Sequence, residues 1–594
     1  MQNTIHSLAD LFLVNRFQIP QYQRAYSWEE KPHLEAFLED LRQQTITLKK
    51  APNKRYFFGT FLLHEADVGA GKKVVNVVDG QQRMTTSVVF IATALSLHKK
   101  GIIKLSDETA AELAHAFVCD GITKVRKFCT IAEDEPFFQS SILGLAGGSS
   151  PQDSPSARRL QAAADYFTRE VKADEWEAIL PALTTANVMV YAVHSAEDAT
   201  QIFELQNDRG KQLTSLEALK SFLMHCIYLH SPEQADDRLR AIQTQFSKIF
   251  RTIERLAELN RTPEEDQLLA NHCAAYLKWS EKEYNNPKQL VKATIKEKSG
   301  AEVVRWIETF VSDLVESYRT IEALFRKRDS LPEFSELLVL NRMGSFWPLI
   351  LKTWRYDTSE SKAQFLKTCR LLEVFAFRGY AVANLRVDTN LSPLQIAARD
   401  FAGDFGMLHN HLAGLCRGHD LDNRFHGGLD NPYFYQSEGK DAHYLLWRYE
   451  NYLRKRPGCS HPFLSWREFV EPRTYAAKFS VEHIAAQSNA IAESEVKWVE
   501  TDEPKPFAEV AMNRLGNLVI DTIGANSSKG AKDFTDKLKS LSERSIFLSQ
   551  GELITFVKDR NLPVWDVDAV HTRHTQLVNF ARKEWDPATW HTAT

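Results

Sequence analysis

Two kinds of hydrophobic pattern divide the first two thirds of the chain. Within residues 1–225, short runs of β-branched and aromatic residues, such as YFFGTFLLH at 56–64 and KVVNVVDG at 73–80, predict strands. The second run leads directly into QRMTTSVVFIATALSLHKK, whose length and pattern indicate a helix. The segment therefore predicts a strand, a tight turn and a helix in succession.

Residues 226–425 carry a different pattern. Segments such as VVRWIETFVSDLVESYRTIEALFRKR repeat apolar residues at intervals of three and four positions, which indicates long helices. GHDLDNRFHGGLDNPY at 418–433 is rich in Gly, Asp and Asn and predicts a boundary before the helical segment AHYLLWRYENYLRKR. We expect an α+β protein with three regions, residues 1–225, a helical middle region 226–425, and residues 426–594.

Composition excludes some classes of protein. The 594 residues exceed what one hydrophobic core supports, and no apolar run reaches the roughly 18–20 residues that span a bilayer, so we expect a multidomain protein outside the membrane. The N-terminus lacks a basic leader before an unbroken apolar segment, and the seven cysteines form no CxxC pair, which favours a cytoplasmic location. With a net charge of −4, contact with DNA depends on local basic patches.

The strongest chemical signal lies near the C-terminus, in KFSVEHIAAQS and RLGNLVIDTIGANSSKGAKDF. The first segment predicts a strand that ends at Glu482 and His483. The second predicts a strand around 518–520, followed by a helix that begins near Ala531. The expected order is strand, strand and helix.

Residues in these two segments can support hydrolysis of a phosphodiester. This reaction needs a base to deprotonate water and a divalent cation to neutralise charge on the phosphate. His483 supplies the base, while Glu482 and Asn526 offer hard oxygen ligands for Mg²⁺. Asn517 can brace the loop that carries His483 by hydrogen bonding to its backbone.

Other interpretations of the same residues remain open. Neighbouring residues on a regular strand point to opposite faces, so Glu482 and His483 share one site only if the strand bends or ends there. A Glu-His pair alone is more often an ordinary surface or core pair; the two spaced asparagines favour a site, which in a degenerate domain would be inactive. Lys529 and Lys532 could contact the DNA backbone or the leaving group.

Together the residues Glu482-His483-Ile484, Gly516-Asn517-Leu518 and Asn526 resemble the ββα-metal fold of HNH nucleases. The resemblance implies that His483 is the general base, that Glu482 and Asn526 bind Mg²⁺, and that Asn517 braces the base loop. Ala486 departs from the pattern, because HNH domains of this type commonly have proline there.

A second candidate site lies in the N-terminal region, in the run Asp79-Gly80-Gln81-Gln82-Arg83-Met84-Thr85-Thr86. This run falls where a strand becomes a helix. Backbone N–H groups at a helix start suit a phosphate, and the Arg83 guanidinium could add a bidentate fork. Asp79 could hold a cation beside it.

Two further segments have residues of the same kind. IPQYQRAYSW places Gln23 and Arg24 among aromatic residues, a mixture that can hydrogen-bond a base or phosphate and stack on a ring. FELQNDRGKQL ends one helix at a Gly turn, before Thr214 and Glu217 form a capping box for the next helix. Taken singly, each segment also fits a purely structural role in a core, turn or cap.

In order and spacing, IPQYQRAYSW, FFGTF, VDGQQRMTT and FELQNDRGKQLTSLEALK resemble the N-terminal domain of the GmrSD family of type IV restriction enzymes. The resemblance implies a ParB/sulfiredoxin-like fold that binds and hydrolyses a nucleoside triphosphate, coupled to nuclease activity on modified DNA. The residues expected to bind the nucleotide are Gln23, Arg24, Asp79, Gly80, Gln81, Gln82, Arg83, Thr85, Asn207 and Arg209.

The sequence thus predicts a modification-dependent DNA endonuclease that uses a nucleoside triphosphate and Mg²⁺ and could act as a homodimer. The alternative is a nucleotide-switched DNA-binding protein whose HNH domain does not cut. A histidine group could suggest a metal site, but without Cys or an HExxH pattern it is better explained as polar surface. Its members are His409, His411, His419 and His426.

Overall fold

The protein is mostly helical with one larger mixed sheet, as expected for an α+β protein. The chain forms two compact units, one of residues 1–273 and 278–325 and one of residues 274–277 and 326–594. The computed structural model describes residues 5–21, 23–67, 73–121, 123–145, 154–193, 214–259, 262–279, 286–437, 439–465, 479–487, 490–498, 503–523, 532–544 and 546–588.

The first unit contains a six-stranded mixed sheet. Its strands are β1 Ile5–Ser7, β2 Phe17–Gln18, β3 Phe57–Asp67, β4 Lys73–Asp79, β5 Phe128–Cys129 and β6 Asn187–Val193. They are arranged in the order β1-β6-β3-β4-β2-β5, antiparallel in β1/β6 and β3/β4 and parallel in β3/β6, β2/β4 and β2/β5. The runs at 56–64 and 73–80 form β3 and β4, which confirms both predicted strands.

The predicted helix after β4 is Gln81–Lys99. From Met84 to Ala94 every residue is buried, so this helix runs through the core rather than along the surface. Phe90 packs against Phe37 and Phe167, with ring centroids 5.9 and 4.9 Å away. The helix therefore holds the end of β4 in a rigid setting.

The remaining helices of the first unit surround this core and extend into the predicted helical region. The α-helices are Leu8–Val14, Glu35–Lys50, Asp107–Leu113, Glu135–Phe137, Pro155–Glu170, Trp176–Thr184, Ser215–His230, Ala235–Ala257, Glu265–Tyr276, Pro287–Lys296 and Ala301–Lys327, where the last residues of Glu265–Tyr276 and Ala301–Lys327 belong to the second unit. Short π-helical turns are Glu30–Leu34, Ala114–Val118 and Phe138–Ile142, and a 3₁₀ turn is Pro232–Gln234.

The second unit is helical around a two-stranded sheet of β7 Phe479–His483 and β10 Leu518–Thr522, with a small pair β8 Glu495–Val496 and β9 Lys505–Pro506. Its α-helices are Pro332–Leu340, Trp347–Tyr356, Ala363–Phe375, Leu391–Asp400, Phe405–Leu415, Leu421–Leu429, Phe434–Ser437, Gly439–Arg454, Ala490–Glu493, Phe507–Val510, Phe534–Arg544, Leu548–Arg560 and Val567–Glu584. Arg328–Ser330 and Leu515–Asn517 are 3₁₀ turns, and Ala376–Val382 is π-helical.

The C-terminal helices hold β10 in place. Gln550 Nε2 donates to the Ile520 carbonyl at 3.0 Å. The buried Arg573 guanidinium donates to the carbonyls of Leu515 and Gly516 at 3.3 and 3.2 Å. Gly516 is needed at this contact, because a Cβ there would lie 2.0 Å from the Val570 carbonyl oxygen.

The segment 418–433, which was predicted as a boundary, contains the helix Leu421–Leu429, and its role as a boundary stays a prediction. Leu421, Phe425 and Leu429 recur every four residues and are buried, so their burial outweighs the turn-forming composition of the segment. The middle region 226–425 contributes residues to both compact units.

Candidate active site and nucleotide site

The end of β7 places Glu482 and His483 beside β10. The two strands are antiparallel, with His483 opposite Leu518 and Glu482 opposite Val519. Both predicted strands of this segment are therefore confirmed. The helix that follows them is described from Phe534, while Ala531, where it was expected to begin, lies outside the described residues.

The side chain of His483, at the end of β7, is largely buried. Its ring packs edge-on against Tyr435, with centroids 4.8 Å apart. Nε2 lies 3.4 Å from Asn513 Oδ1 and 3.3 Å from Gln487 Nε2, so the tautomer decides which hydrogen bond forms. Burial lowers the pKa of His483 to about 4, so the imidazole is neutral at pH 7, the form that can accept a proton.

The Glu482 carboxylate has a different partner. Lys537 Nζ, from the helix Phe534–Arg544, lies 2.6 Å from Glu482 Oε1 and donates to the His483 carbonyl oxygen at 2.7 Å. The side chains of Glu482 and Lys537 are each 4% exposed. Lys537 thus ties the end of β7 to this helix through two buried contacts.

Asn517 holds the turn that follows His483. Its Oδ1 accepts from the Ala485 amide at 2.8 Å, and its Nδ2 donates to the carbonyls of Ala485 and Met512 at 3.3 and 2.9 Å. The Ile484 amide donates to the Asn517 carbonyl at 2.8 Å. Asn517 is fully buried. These contacts have the geometry that a brace for the base loop requires.

The described residues do not form a Mg²⁺ site by themselves. Glu482 is the only expected ligand among them, and the Lys537 ammonium already balances its charge. Asn526 and Lys529 lie outside the described residues, and Lys532 is exposed. In the described part of the chain, no three His, Cys, Asp or Glu side chains cluster as metal ligands would.

Sequence reasoning missed Lys537, although a signal was present. Phe534, Lys537, Leu538 and Leu541 recur at helical spacing on the inward face of the helix, so the lysine stands at a core position. A lysine among inward-facing apolar residues needs a buried partner. The spacing does not reveal which carboxylate is that partner.

In the first unit, the structure brings two predicted motifs together. Gln81 Nε2 donates to the Arg24 carbonyl at 2.9 Å, and Gln82 Nε2 donates to the Ala25 carbonyl at 3.2 Å. Gln23 Nε2 donates to the Val78 carbonyl at 2.7 Å. The side chains of each motif thus hold the backbone of the other.

The helix start after β4 leaves backbone donors available. Gly80 precedes the helix with φ 90°, and no side chain caps the first turn. A Cβ at Gly80 would lie 2.1 Å from Phe61 Cδ1, so this turn requires glycine. Burial raises the pKa of Asp79, while the Gly80 backbone N–H and the Arg83 charge lower it.

The Arg83 guanidinium, expected to form a fork for phosphate, donates instead to two main-chain carbonyls. Nη1 donates to the Phe58 carbonyl and Nη2 to the Thr60 carbonyl, each at 3.1 Å. The guanidinium also lies 5.5 Å from the centroid of the Phe61 ring. In this arrangement its donors stabilise β3.

Arg24 joins the first motif to two later helices. Its guanidinium pairs with Glu217 at 2.8 Å and with Glu265, donates to Thr214 Oγ1 at 2.9 Å, and lies 5.2 Å from the centroid of Phe250. Sequence reasoning missed Glu265 and Phe250 because both belong to the segment treated as a separate helical region. The capping box of Thr214 and Glu217 is confirmed.

Little space remains between these groups. A cavity of about 10 Å³ lies beside Arg24, Gln81 and the buried Thr85, and a water molecule needs about that much. The described residues therefore do not enclose a nucleotide here. Asn207 and Arg209 lie outside the described residues.

His411 and His419 of the histidine group are exposed, as expected for polar surface, but His409 is not. His409 is 5% exposed, its Nε2 lies 3.0 Å from Thr368 Oγ1, and burial lowers its pKa to about 4. His419 Nε2 lies 3.0 Å from Asn390 Oδ1. The expectation of polar surface is wrong for His409, because its helix Phe405–Leu415 packs that side chain inward.

Comparison with known protein families gives two matches. Residues 8–224 match the model described as GmrSD restriction endonuclease, N-terminal domain, and residues 421–580 match the model described as GmrSD restriction endonucleases, C-terminal domain. The first match includes the Gln81–Lys99 helix start, and the second includes Glu482, His483 and Asn517. No curated protein matches the chain. No helix in the described ranges is long and apolar enough to cross a membrane.

Proposed function

We propose that this chain, which belongs to the GmrSD family of type IV restriction enzymes, cuts modified DNA in a reaction coupled to a nucleoside triphosphate. The family supports a DNA endonuclease that acts in defence. The HNH chemistry, the nucleotide coupling and the choice of modified DNA form the proposal.

The observation that carries the proposed nuclease chemistry is the fixed backbone around His483. Asn517 contacts the amide and the carbonyl of Ala485, and Lys537 contacts the His483 carbonyl. A general base must be correctly placed to take a proton from water. These three hydrogen bonds fix the backbone from which the His483 side chain extends.

Mg²⁺ is proposed as the metal from the donor type of Glu482, with Asn526 as the second expected ligand. A divalent cation of this kind would supply positive charge against the phosphate during hydrolysis. Lys537 supplies positive charge beside the same carboxylate. A divalent cation would therefore compete with the ammonium for Glu482, and cleavage should require a high metal concentration.

Nucleotide binding is proposed at the start of the helix Gln81–Lys99. The N–H groups of its first turn have no side-chain cap and suit a phosphate, and Asp79 lies directly before them. Asn207 and Arg209 are proposed to complete this site. Because the described cavity is small, binding would require the surrounding side chains to move.

A plasmid nicking assay with Mg²⁺, with and without nucleoside triphosphates, tests the proposal on glucosylated, phosphorothioated and plain DNA. We expect cleavage of one modified substrate. His483→Ala should slow cleavage by about 10²–10⁴ and leave nucleotide hydrolysis intact. The matched control is His409→Ala, which removes another buried histidine of low pKa. Equal cleavage by the wild type and His483→Ala would reject the base assignment.

The nucleotide site has its own test in the same assay. Asp79→Ala should lose nucleotide turnover, while Asp107→Ala, an exposed carboxylate of the same unit, should keep it. Arg83→Ala should also lose turnover, and its thermal unfolding shows whether this loss follows from disruption of β3. Normal turnover in both Asp79→Ala and Arg83→Ala would remove the proposed site.

A second candidate function is a nucleotide-switched DNA-binding protein that does not cut. The buried Glu482–Lys537 pair favours it, because it engages the expected metal ligand. Tight binding of modified DNA without nicking, at any concentration of Mg²⁺ or Mn²⁺, would support this function over the endonuclease.

A further inference from the structure

A strongly basic turn connects the helix Glu35–Lys50 to β3 in the first unit. Four cations occur within seven residues, and all four side chains are exposed. We call these residues the basic turn: Lys49, Lys50, Lys54 and Arg55. In a chain of net charge −4, this is a local excess of positive charge.

The nearby acidic side chains are engaged elsewhere. The Tyr56 hydroxyl donates to Asp40 at 2.7 Å, and Gln43 Nε2 donates to Glu39 at 2.8 Å. Arg42 pairs with Glu175 at 2.7 Å. Across the described ranges, the four cations of the basic turn form no ion pair, so their charge faces solvent.

The favourable position of cations at a helix end explains only part of this pattern. Lys49 and Lys50 lie in the last helical turn, where positive charge stabilises a helix by about 0.3–1 kcal/mol. Lys54 and Arg55 lie beyond the helix and receive no such benefit. Helix-end stabilisation therefore does not account for the cluster of four cations.

The backbone of the basic turn is fixed in place. The Ala51 amide donates to the Thr47 carbonyl at 2.8 Å, and the Lys54 amide donates to the Ala51 carbonyl at 3.0 Å. The buried Gln44 donates from Nε2 to the Lys54 carbonyl at 2.7 Å. Because the backbone is already ordered, binding of an anion costs no backbone entropy here, and only the side chains have to be ordered.

An exposed aromatic residue lies two positions after the basic turn. The Phe57 side chain is 54% exposed at the start of β3, and Ile46 on the preceding helix is 48% exposed. Lysine and arginine beside an exposed ring are suited to phosphate together with sugar or base surface. An isolated phosphate would not need the ring.

We propose that the basic turn, with Phe57, is a contact surface for the phosphate backbone of DNA. It lies in the first unit, whereas His483 and Asn517 lie in the second. This inference rests on the proposed function in one respect, namely that DNA is the substrate. The surface binds the backbone of plain and modified DNA alike, and so contributes affinity rather than recognition of the modification.

Salt dependence of DNA binding by the full-length protein tests this surface. Affinity for a fluorescent duplex, plain or modified, is measured by anisotropy over a series of KCl concentrations. Each lost phosphate contact should make the log–log slope less steep by about 0.9, so Lys49→Gln with Lys50→Gln should change it by about 2. The quadruple Gln variant of the basic turn should change it by about 3 to 4.

A matched control comes from the same unit. Lys99 and Lys100 are also exposed at a helix end, and their double Gln variant should leave the slope unchanged. A variant in which each Lys of the basic turn is replaced by Arg and Arg55 by Lys keeps all four charges. Its log–log slope should equal that of the wild type. Unfolding temperatures should fall only slightly, because all four side chains are exposed and only Lys49 and Lys50 contribute to the helix end.

The outcomes separate this inference from the proposed function. If the wild type binds DNA and the quadruple variant shows the same salt slope, the surface assignment is overturned while the endonuclease proposal stands. If the wild type does not bind DNA, both are overturned. The quadruple Gln variant could instead lose binding to vesicles containing phosphatidylserine while its DNA binding stays the same as that of the wild type. This result would overturn the surface assignment in favour of a membrane contact.

Discussion

Replacement of Lys537 by methionine would measure how strongly the end of β7 is held. The change keeps the side-chain length but leaves the Glu482 carboxylate, 3% exposed, without its buried ammonium partner. Removal of one partner of a buried ion pair lowers the free energy of unfolding by about 3–5 kcal/mol, a range that includes the cost of the uncompensated charge of the other partner. Loss of the hydrogen bond to the His483 carbonyl adds about 1 kcal/mol. We expect the free energy of unfolding to fall by about 4–6 kcal/mol.

A double variant separates the ion pair from packing. When Glu482→Gln is added to Lys537→Met, neither position of the former ion pair carries a charge. The free energy of unfolding should therefore rise by about 1–3 kcal/mol relative to that of Lys537→Met alone. Lys539→Met, exposed on the same helix, is the matched control and should change stability by less than about 0.5 kcal/mol.

Urea denaturation gives these free energies, and hydrogen exchange at the Ile484 and Ala485 amides reports whether the loss is local to the base loop. We expect faster exchange at both amides in Lys537→Met. A Lys537→Met protein as stable as the Lys539→Met control, with unchanged exchange, would refute the buried ion pair.

Three other variants test separate features. Asn517→Ala leaves the Ala485 amide without its acceptor, and should cost about 1–3 kcal/mol in urea denaturation and slow nicking, while wild-type stability would contradict the brace. Burial raises the pKa of Glu254 from 4.5 to about 7, so the wild type should lose stability as pH rises between these values. Glu254→Gln should lack that loss when melting temperatures at pH 5 and pH 8 are compared, and an equal pH dependence would argue against it. Gly80→Ala should cost more than about 1 kcal/mol, because its Cβ would lie 2.1 Å from Phe61 Cδ1. Gly101→Ala, also at positive φ but with open space, is the control for backbone strain alone, and equal melting temperatures would contradict the contact.

Short-range patterns predicted the elements that carry both candidate sites. The strand at 73–79, the helix Gln81–Lys99 and the capping box at Thr214 were each readable from residues a few positions apart. The pair β7 and β10 was predicted from two apolar runs. These features depend on backbone preferences and on side chains that meet within one turn, so neighbouring residues are enough to indicate them.

The sequence did not reveal which partners the charged side chains have in the folded protein. Arg83 had the chemistry for a phosphate fork, yet its donors are taken by the carbonyls of Phe58 and Thr60. Glu482 had the chemistry for a metal ligand, yet Lys537 neutralises it. Both assignments from sequence considered what a side chain can bind, and the folded chain supplied a competing partner.

The sequence by itself thus determined the local elements, the family and the candidate residues. Only the tertiary structure decided that Arg24 meets Glu265, 241 residues away, and that Lys537 meets the carbonyl of His483, 54 residues away. The physical reason is that many acidic and carbonyl groups could satisfy each cation equally well in isolation. Packing of the helices brings one of them close and excludes water from the pair, and that choice depends on the whole fold.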